Sequence, residues 1–362
     1  MRTLVVNAGS SSLKLRVLDA DDAVVAAADL GPVEELGADG IVTAVDALGP
    51  VDAVGHRVVH GGTRFTAPVL LDDDVVAALQ DLVQLAPLHQ PPALVAIDAV
   101  ARVLADQPAV ACFDTAFHAS LPVAAATYAV PRRWREELGV RRYGFHGLSH
   151  AYAARRASQL LGLPVDELRI VTCHLGAGAS LAAVAGGRSV DTTMGFTPLE
   201  GLVMATRSGT VDPGLVLWLQ QHAGLATAEV LDGLEHGGGL LALTGTADMR
   251  ALLASVVDGD AAARQGLDVY LHRLRASIAA MAAAMGGLDV LVFTGGVGEG
   301  SAAVRAGAAE GLEFLGMSID VGRNETGDAD REVGRDDAAV RTLVVEARED
   351  IEIANGVRAL VG

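Results

Sequence analysis

Lysine is almost missing from this sequence. The chain has 362 residues and 27 lysines and arginines together, and a single one of these is a lysine, Lys14. Aromatic residues are scarce as well, at 4%, so any core must be built mainly from Ala, Val and Leu. Positive charge is in deficit, with a formal net charge of −18. That balance argues against a nucleic-acid partner or an anionic membrane surface. It also requires any site for an anionic substrate to be locally basic. The two cysteines, Cys112 and Cys173, lie in apolar runs, as expected of buried thiols in a reducing cytoplasm rather than of a disulfide. The start, Met1-Arg2-Thr3-Leu4, has no apolar signal-peptide core. The Ala-rich stretch from Ile278 to Met285 is far shorter than the roughly 18 apolar residues that cross a bilayer. A soluble, cytoplasmic protein with no membrane partner is the expectation.

Several motifs are missing too. No Cys/His spacing suggests zinc, and no Gly-x-Ser-x-Gly elbow frames a hydrolase nucleophile. The one lysine is not preceded by a Walker A pattern, and the glycine cluster at Gly295–Gly300 does not fit Gly-x-Gly-x-x-Gly.

What is present is a rich apolar composition, 51% of residues, in a chain long enough for two domains of about 150 residues each. The stretch Asn7-Ala-Gly-Ser-Ser-Ser-Leu-Lys14 stands between two apolar runs, Thr3 to Val6 and Leu13 to Leu18. It reads as the turn of a β-hairpin whose glycine, serine hydroxyls and lysine form an anion-binding concavity. Gly9 is expected to supply backbone angles other residues avoid. The layout returns later: strand Arg169–Cys173, Gly/Ser turn His174 to Ser180, strand from Leu181 to Ala185, then Arg188 to Thr192. Two such units imply an internal duplication and two related domains.

Residues 1–60 otherwise alternate β-like runs with Gly and Asp breaks. Helical periodicity is expected at 73–85, 93–104, 211–222, 226–234 and 261–285, and in a closing helix from Ile351 to Leu360. Pro87, Pro91 and Pro92 are expected to frame a rigid loop around His89. The apolar run from Leu288 to Thr294 is a buried strand, and the glycine cluster after it reads as a nucleotide-binding turn before a helix at 302–309.

Polar residues stand where these scaffolds meet loops. They are Arg57 and His60 in Gly-His-Arg-Val-Val-His-Gly-Gly, His89 in Leu-Ala-Pro-Leu-His-Gln-Pro-Pro, and Asp114 in Cys-Phe-Asp-Thr-Ala-Phe-His. His146 and His150 follow in Arg-Arg-Tyr-Gly-Phe-His-Gly-Leu-Ser-His, and Arg207 in Met-Ala-Thr-Arg-Ser-Gly. These motifs, in this order from Asn7 to about Glu349, closely resemble the acetate kinase (acetokinase) family.

The resemblance implies an α/β fold of two duplicated actin-like ATPase (ribonuclease H-like) domains with mixed central sheets and an ATP cleft between them. Residues 1–113 plus 351–362 would form one domain and 114–350 the other. It implies ATP/ADP with Mg2+, or Mn2+, as cofactors, acetate and acetyl phosphate as partners, and a homodimer.

By the same resemblance Asn7 and Glu349 hold the metal, and Ser10, Ser12 and Lys14 hold the phosphate end of the nucleotide. His174, Leu175, Gly176, Ala177 and Gly178 form a second phosphate loop. Asp248, Met249 and Arg250, with Gly296, Val297, Gly298, Glu299 and Gly300, hold the adenosine. Arg57 and Arg207 flank the transferring phosphoryl group, Arg57 also binding the substrate carboxylate. His146 stabilises the transition state and Asp114 is an essential carboxylate. Val59, Leu88, Phe145 and Pro198 line the pocket for the substrate methyl.

Elementary chemistry agrees with these roles. A carboxylate attacking a γ-phosphate brings two anions together, so the barrier is electrostatic. The transfer needs in-line positioning and donors on the equatorial oxygens, and arginine's planar fork suits carboxylate and phosphate alike. A simple carboxylic acid, with a pKa of about 4, is already deprotonated at neutral pH. Asp114 is therefore expected to position magnesium or its waters rather than act as a base. His56, His60 and His118 read as core histidines; His222, His236 and His272 read as surface.

The sequence departs from the family in the second phosphate loop, where Ala177 replaces the usual asparagine and altered nucleotide affinity is expected. Near the end, Ala-Arg-Glu-Asp replaces Thr-Asn-Glu-Glu, placing Arg348 beside Glu349. Peripheral loops are also shorter than usual. The alternatives are a propionate or butyrate kinase of the same family and, more distantly, a non-catalytic actin-like ATP switch.

Overall fold

The computed structural model describes residues 1–9, 12–87, 89–327 and 329–362. They form two compact units, one of Met1–Ala119, Phe145–Tyr152 and Arg348–Gly362, the other of Ser120–Gly144 and Ala153–Ala347.

The first unit is built on six strands: β1 (Thr3–Ala8), β2 (Leu13–Leu18), β3 (Val24–Leu30), β4 (Ala53–Val58), β5 (Val69–Leu70) and β6 (Ala109–Phe113), in the order β3-β2-β1-β4-β6-β5. β1, β4 and β6 run parallel, while β2, β3 and β5 pair antiparallel with their neighbours. Alternation decides which side of the sheet each residue faces. Leu4, Val6, Leu13, Leu15 and Val54 pack in one cluster with residues of helices Val33–Asp46 and Gln90–Val103. On the other face Val5, Ala53 and Cys112 pack against Ile353, Ala354 and Val357 of the closing helix, Glu349–Val361. Gly55 lets that helix approach, since a Cβ there would lie 2.5 Å from Ile353 Cγ2.

The second unit repeats this plan with β7 (Arg169–Leu175), β8 (Ala179–Ala185), β9 (Arg188–Thr192), β10 (Val290–Thr294), β11 (Arg331–Glu332) and β12 (Arg341–Val344), in the order β11-β12-β10-β7-β8-β9. Read from the other end, the order and directions match the first sheet strand for strand. Even the irregularity recurs, between Val17 and Leu18 in β2 and between Ala183 and Val184 in β8. The duplication read from two Gly/Ser turns therefore extends over both sheets. The wholly buried β10, Val-Leu-Val-Phe-Thr, shows the continuous apolar run of a strand covered on both faces.

Several local expectations are corrected. Helix Val33–Asp46, kinked at Gly37 with φ 61, occupies a region that reads as β-like. Helix Gln90–Val103 starts earlier than 93 and takes Pro91 and Pro92 into its first turn, where proline's missing N–H costs nothing. The glycines Gly295–Gly300 form a short helical turn of their own rather than an open turn. Gly239–Val257 is long and apolar enough to cross a membrane, a feature the sequence reading overlooked. It is folded as two short helices, Gly239–Thr244 and Met249–Val257, separated by the left-handed Gly245 and the cap residue Asp248. Cys112 and Cys173 are buried free thiols.

Candidate active site

The carboxyl ends of β1, β4 and β6 bring together Asn7, Arg57 and Asp114. Asn7, on β1, and Arg57, on β4, fall on the sheet face that the closing helix covers. Asp114 follows β6 directly, its N–H donating to Val58 O at 3.0 Å. Arg57 Nε donates to Asp114 Oδ1 at 3.1 Å and Nη2 to Oδ2 at 2.6 Å, while Nη1 donates to Asn7 Oδ1 at 3.0 Å. Asn7 Nδ2 in turn donates to Glu349 Oε2 at 2.9 Å, a pairing of residues 342 positions apart. Glu349 opens the closing helix, so packing of that helix on the sheet delivers it to Asn7.

The Asp114 side chain is 1% exposed and that of Arg57 14%. Burial works to lower the Arg57 pKa, but the Asp114 and Glu349 charges and the hydrogen bonds to Asp114 outweigh it, so the guanidinium is held firmly cationic. Burial pushes the Asp114 carboxyl up, Glu349 adds to this, and the Arg57 fork and the His146 N–H pull it back. Both Asp114 oxygens are engaged by Arg57. The carboxylate therefore orients the arginine.

Lys14 lies directly across from Asn7 in the β1–β2 register, and is exposed. Directly opposite residues share a sheet face, so the lone lysine belongs to the same side as Asn7. Its turn is closed by Gly9 N–H donating to Ser12 O at 2.9 Å. Gly9 is not among the glycines with positive φ, so the special backbone angle expected there is not used. Ser10 lies outside the described residues.

A second segment, 145–150, docks onto this knot. Gly147 N–H donates to Asp114 O at 2.9 Å and His150 N–H to His146 O at 2.9 Å. Glycine is required at 147, since a Cβ would sit 2.1 Å from Asp114 O. His146 is half-buried and left-handed, with φ 56, a conformation that costs a non-glycine residue about 1–3 kcal/mol and concentrates at functional sites. The Phe145 carbonyl lies 3.0 Å from His118 Nε2, and the Phe145 ring meets His60 edge-on at 5.5 Å. Phe145 and Val59 are both buried; Leu88 lies outside the described residues.

The sequence reading missed a brace beneath this wall. Gln90 exchanges hydrogen bonds with the backbone of His60, and Thr115 Oγ1 accepts from Gly61 N–H at 3.0 Å. The core assignment of His56, His60 and His118 stands: each is at most 2% exposed. His222, His236 and His272 are exposed.

In the second unit the loop from His174 to Gly178 joins β7 to β8. Gly176 N–H donates to Gly178 O at 3.0 Å, and the Ala177 carbonyl accepts from Ala205 N–H at 3.0 Å. His174 pairs with Thr294 on β10. Gly295, with φ 78, packs so closely on Leu175 that a Cβ would lie 2.9 Å from the Leu175 carbonyl oxygen. The loop His174–Gly178 and the glycine turn Gly295–Gly300 are thus neighbours.

Glu299 braces that turn from within, its Oε1 accepting from Gly295 N–H at 2.8 Å and Ala347 N–H at 3.0 Å. Arg305, 1% exposed, donates to the carbonyls of Gly298 and Glu299 and to Asn324. Burial lowers its pKa to about 10, so it remains a cation at neutral pH. Gly296, Val297 and Gly300 complete the turn.

Asp248 caps helix Met249–Val257, accepting from Arg250 N–H and Ala251 N–H. Met249 is buried and Arg250 exposed. Arg207 Nη1 donates to Pro198 O at 3.1 Å, joining two residues that the sequence placed in one site. Burial lowers the Arg207 pKa, opposed by Glu235.

The departures are accommodated. Ala177 is exposed. Arg348 Nε donates to Asp350 Oδ1 at 2.9 Å, so its added charge is matched locally. Among the described residues no group of three His, Cys, Asp or Glu side chains could cage a metal. The donor set at Asn7 and Glu349 instead fits Mg2+, which takes one or two protein oxygens and fills its octahedron with water and phosphate.

The chain resembles known proteins in sequence and in fold. The chain is 49% identical to the acetate kinase of Gloeobacter violaceus over 303 residues, 83% of this chain and 75% of that one. The crystal structure of Porphyromonas gingivalis acetate kinase superposes with a TM-score of 0.92 at 34% identity, covering 100% of both chains. A propionate kinase from Francisella tularensis subsp. tularensis superposes with a TM-score of 0.91 at 31% identity, over 99% of this chain and 100% of that one. The profile of the Acetokinase family matches residues 39–355. The chain belongs to the acetokinase family.

Proposed function

We propose that this protein is an acetate kinase, converting acetate and ATP reversibly to acetyl phosphate and ADP by direct in-line phosphoryl transfer. The observation that carries the reading is the Asp114-anchored Arg57 beside Asn7 and Glu349, in a chain of this family. It is a fixed cationic fork within an acidic protein, set where an anionic substrate needs it.

The chain's own residues divide the work. Asp114 holds the Arg57 guanidinium in one orientation, so no reorganisation is needed when charge develops on the transferring group. Arg57 binds the carboxylate and, with Arg207, the equatorial phosphoryl oxygens; His146 adds a donor to the transition state. Val59, Phe145 and Pro198, with Leu88, exclude water from the substrate methyl. Ser12 and Lys14, with Ser10, and the loop His174–Gly178 bind the nucleotide phosphates. Asp248, Met249 and Arg250, together with the turn braced by Glu299 and Arg305, bind adenosine. Asn7 and Glu349 hold Mg2+, or Mn2+, which when bound neutralises phosphate charge.

A homodimer in the cytoplasm completes the proposal. The dimer reading is supported by Leu217 and Trp218, 55% and 54% exposed on helix Pro213–Gln221. Acetate-dependent ADP release in the presence of Mg2+ tests the reading. Turnover that ignores acetate would favour an ATP switch instead. Propionate is the second reading, favoured by the Francisella structure, because one methylene is worth only about 1–3 kcal/mol in an apolar pocket.

A further inference from the structure

Outside the residues assigned above, Glu200, Arg142 and Tyr128, all in the second unit, form an interlocked polar cluster with no role in the scheme. Glu200 Oε2 accepts from the Tyr128 hydroxyl, and Glu200 Oε1 accepts from Arg142 Nη2 at 2.7 Å. The Tyr128 oxygen accepts in turn from Phe196 N–H at 3.0 Å. Arg142 Nη1 reaches the carbonyls of Thr192, Thr193 and Met194 at 3.1, 3.1 and 2.9 Å, and its guanidinium lies 5.4 Å from the Tyr128 ring centroid.

The cluster therefore grips residues 192–196 and, through Glu200, the far end of the same loop. Gly195 leaves room for it, since a Cβ there would collide with Glu200 Oε2 at 1.8 Å and the Tyr128 oxygen at 2.1 Å. Pro198 sits inside the clamped loop, and its carbonyl receives Arg207 Nη1. The loop then continues to Arg207 through backbone that is itself held, with Met204 N–H on Arg207 O and Gly238 N–H on Thr206 O.

We propose that Glu200, with Tyr128 and Arg142, is a positioning residue that sets the place of Pro198 and hence of the Arg207 guanidinium, tuning carboxylate affinity and chain-length preference without touching substrate. The proposal rests on the acetate kinase reading. A loop on which a pocket wall and a catalytic arginine share one hydrogen bond transmits a small displacement to both. A misplacement of about 1 Å costs up to about a hundredfold in such sites.

Glu200→Gln keeps the size of the side chain but removes the charge that pairs with Arg142, and Tyr128→Phe removes the hydroxyl alone. Steady-state kinetics with acetate, propionate and butyrate, beside thermal unfolding, read the effect. Both variants are expected to raise the acetate KM about tenfold, to leave the ATP KM within about twofold, and to narrow the preference between acetate and propionate. Glu200→Asp, which retains the charge, is expected to recover part of the acetate affinity. An unchanged carboxylate KM and chain-length profile in both variants would overturn the proposal. So would acetate and ATP KM values that rise together in step with a falling Tm. If the wild-type chain turned over none of the three acids, the parent reading would fall and this proposal with it.

Discussion

Arg57 and Asp114 stand at the ends of two neighbouring parallel strands and are locked by two hydrogen bonds, Nε to Oδ1 at 3.1 Å and Nη2 to Oδ2 at 2.6 Å. The third donor of the fork, Nη1, goes to Asn7. A buried pair of this kind adds little net stability over an apolar pair, yet breaking it leaves a buried charge uncompensated at a cost of about 3–5 kcal/mol. Asp114→Asn should therefore lower both stability and turnover, the latter by about a hundredfold or more. Urea unfolding and kcat, measured on the same preparation, check this. A variant with normal kcat would remove the orienting role from Asp114.

Ala177 offers a gain-of-function test. It is exposed in the loop between β7 and β8, and its carbonyl is engaged by Ala205 while its side chain is free of packing demands. Ala177→Asn restores the side-chain donor that the family usually carries. A hydrogen bond to a charged group contributes about 1.5–3 kcal/mol, so the ATP KM should fall about tenfold with the acetate KM unchanged.

Lys14 is exposed at its strand position opposite Asn7. Lys14→Ala should leave Tm unchanged within error and raise the ATP KM or lower kcat by about tenfold, the scale of one charge-assisted hydrogen bond. Normal kinetics would make it an ordinary hairpin lysine.

Two core histidines give the fold an acid limb. Burial lowers the pKa of His56 to about 3 and of His60 to about 4. In the unfolded chain each titrates near 6.5, so between these values the unfolded state binds more protons and stability rises with pH. Their contribution is complete above pH 6.5 and is lost as pH falls toward the folded values, at about 2 kcal/mol per histidine by pH 5. Urea midpoints measured from pH 7.5 to 5 should show this slope, and His56→Leu should reduce it. A midpoint independent of pH across that range would contradict the buried neutral histidines.

The repeated strand–turn–strand units were legible because period-2 alternation and Gly/Ser turns are local features. Strands β2 and β9 match their expected limits, and the long helix runs Ala261–Ala284 almost as its stripe of Tyr270, Leu271, Leu274 and Ile278 dictates. Elements whose reason lies elsewhere in the chain were not legible. Glycine-rich composition argues against a helix at Gly295–Gly300, yet Glu299 and Arg305 supply the bonds that hold it helical. Helix Gly147–Leu161 begins inside a motif that reads as catalytic. The two-residue edge strands β5 and β11 exist only through their partners. Residue types and order singled out Arg57, Asp114 and Arg207, but not what each would touch. The two-bonded pairing of Asp114 with Arg57, and the Glu200 clamp, depend on contacts between residues 57 and 58 positions apart.

The most direct test of the whole account is acyl-phosphate trapping with hydroxylamine, run with ATP, Mg2+ and acetate, propionate or butyrate in turn. The account predicts acyl hydroxamate formed in step with ADP, with kcat/KM highest for acetate and declining with each added methylene. ADP appearing without trapped acyl phosphate, or propionate surpassing acetate, would contradict it.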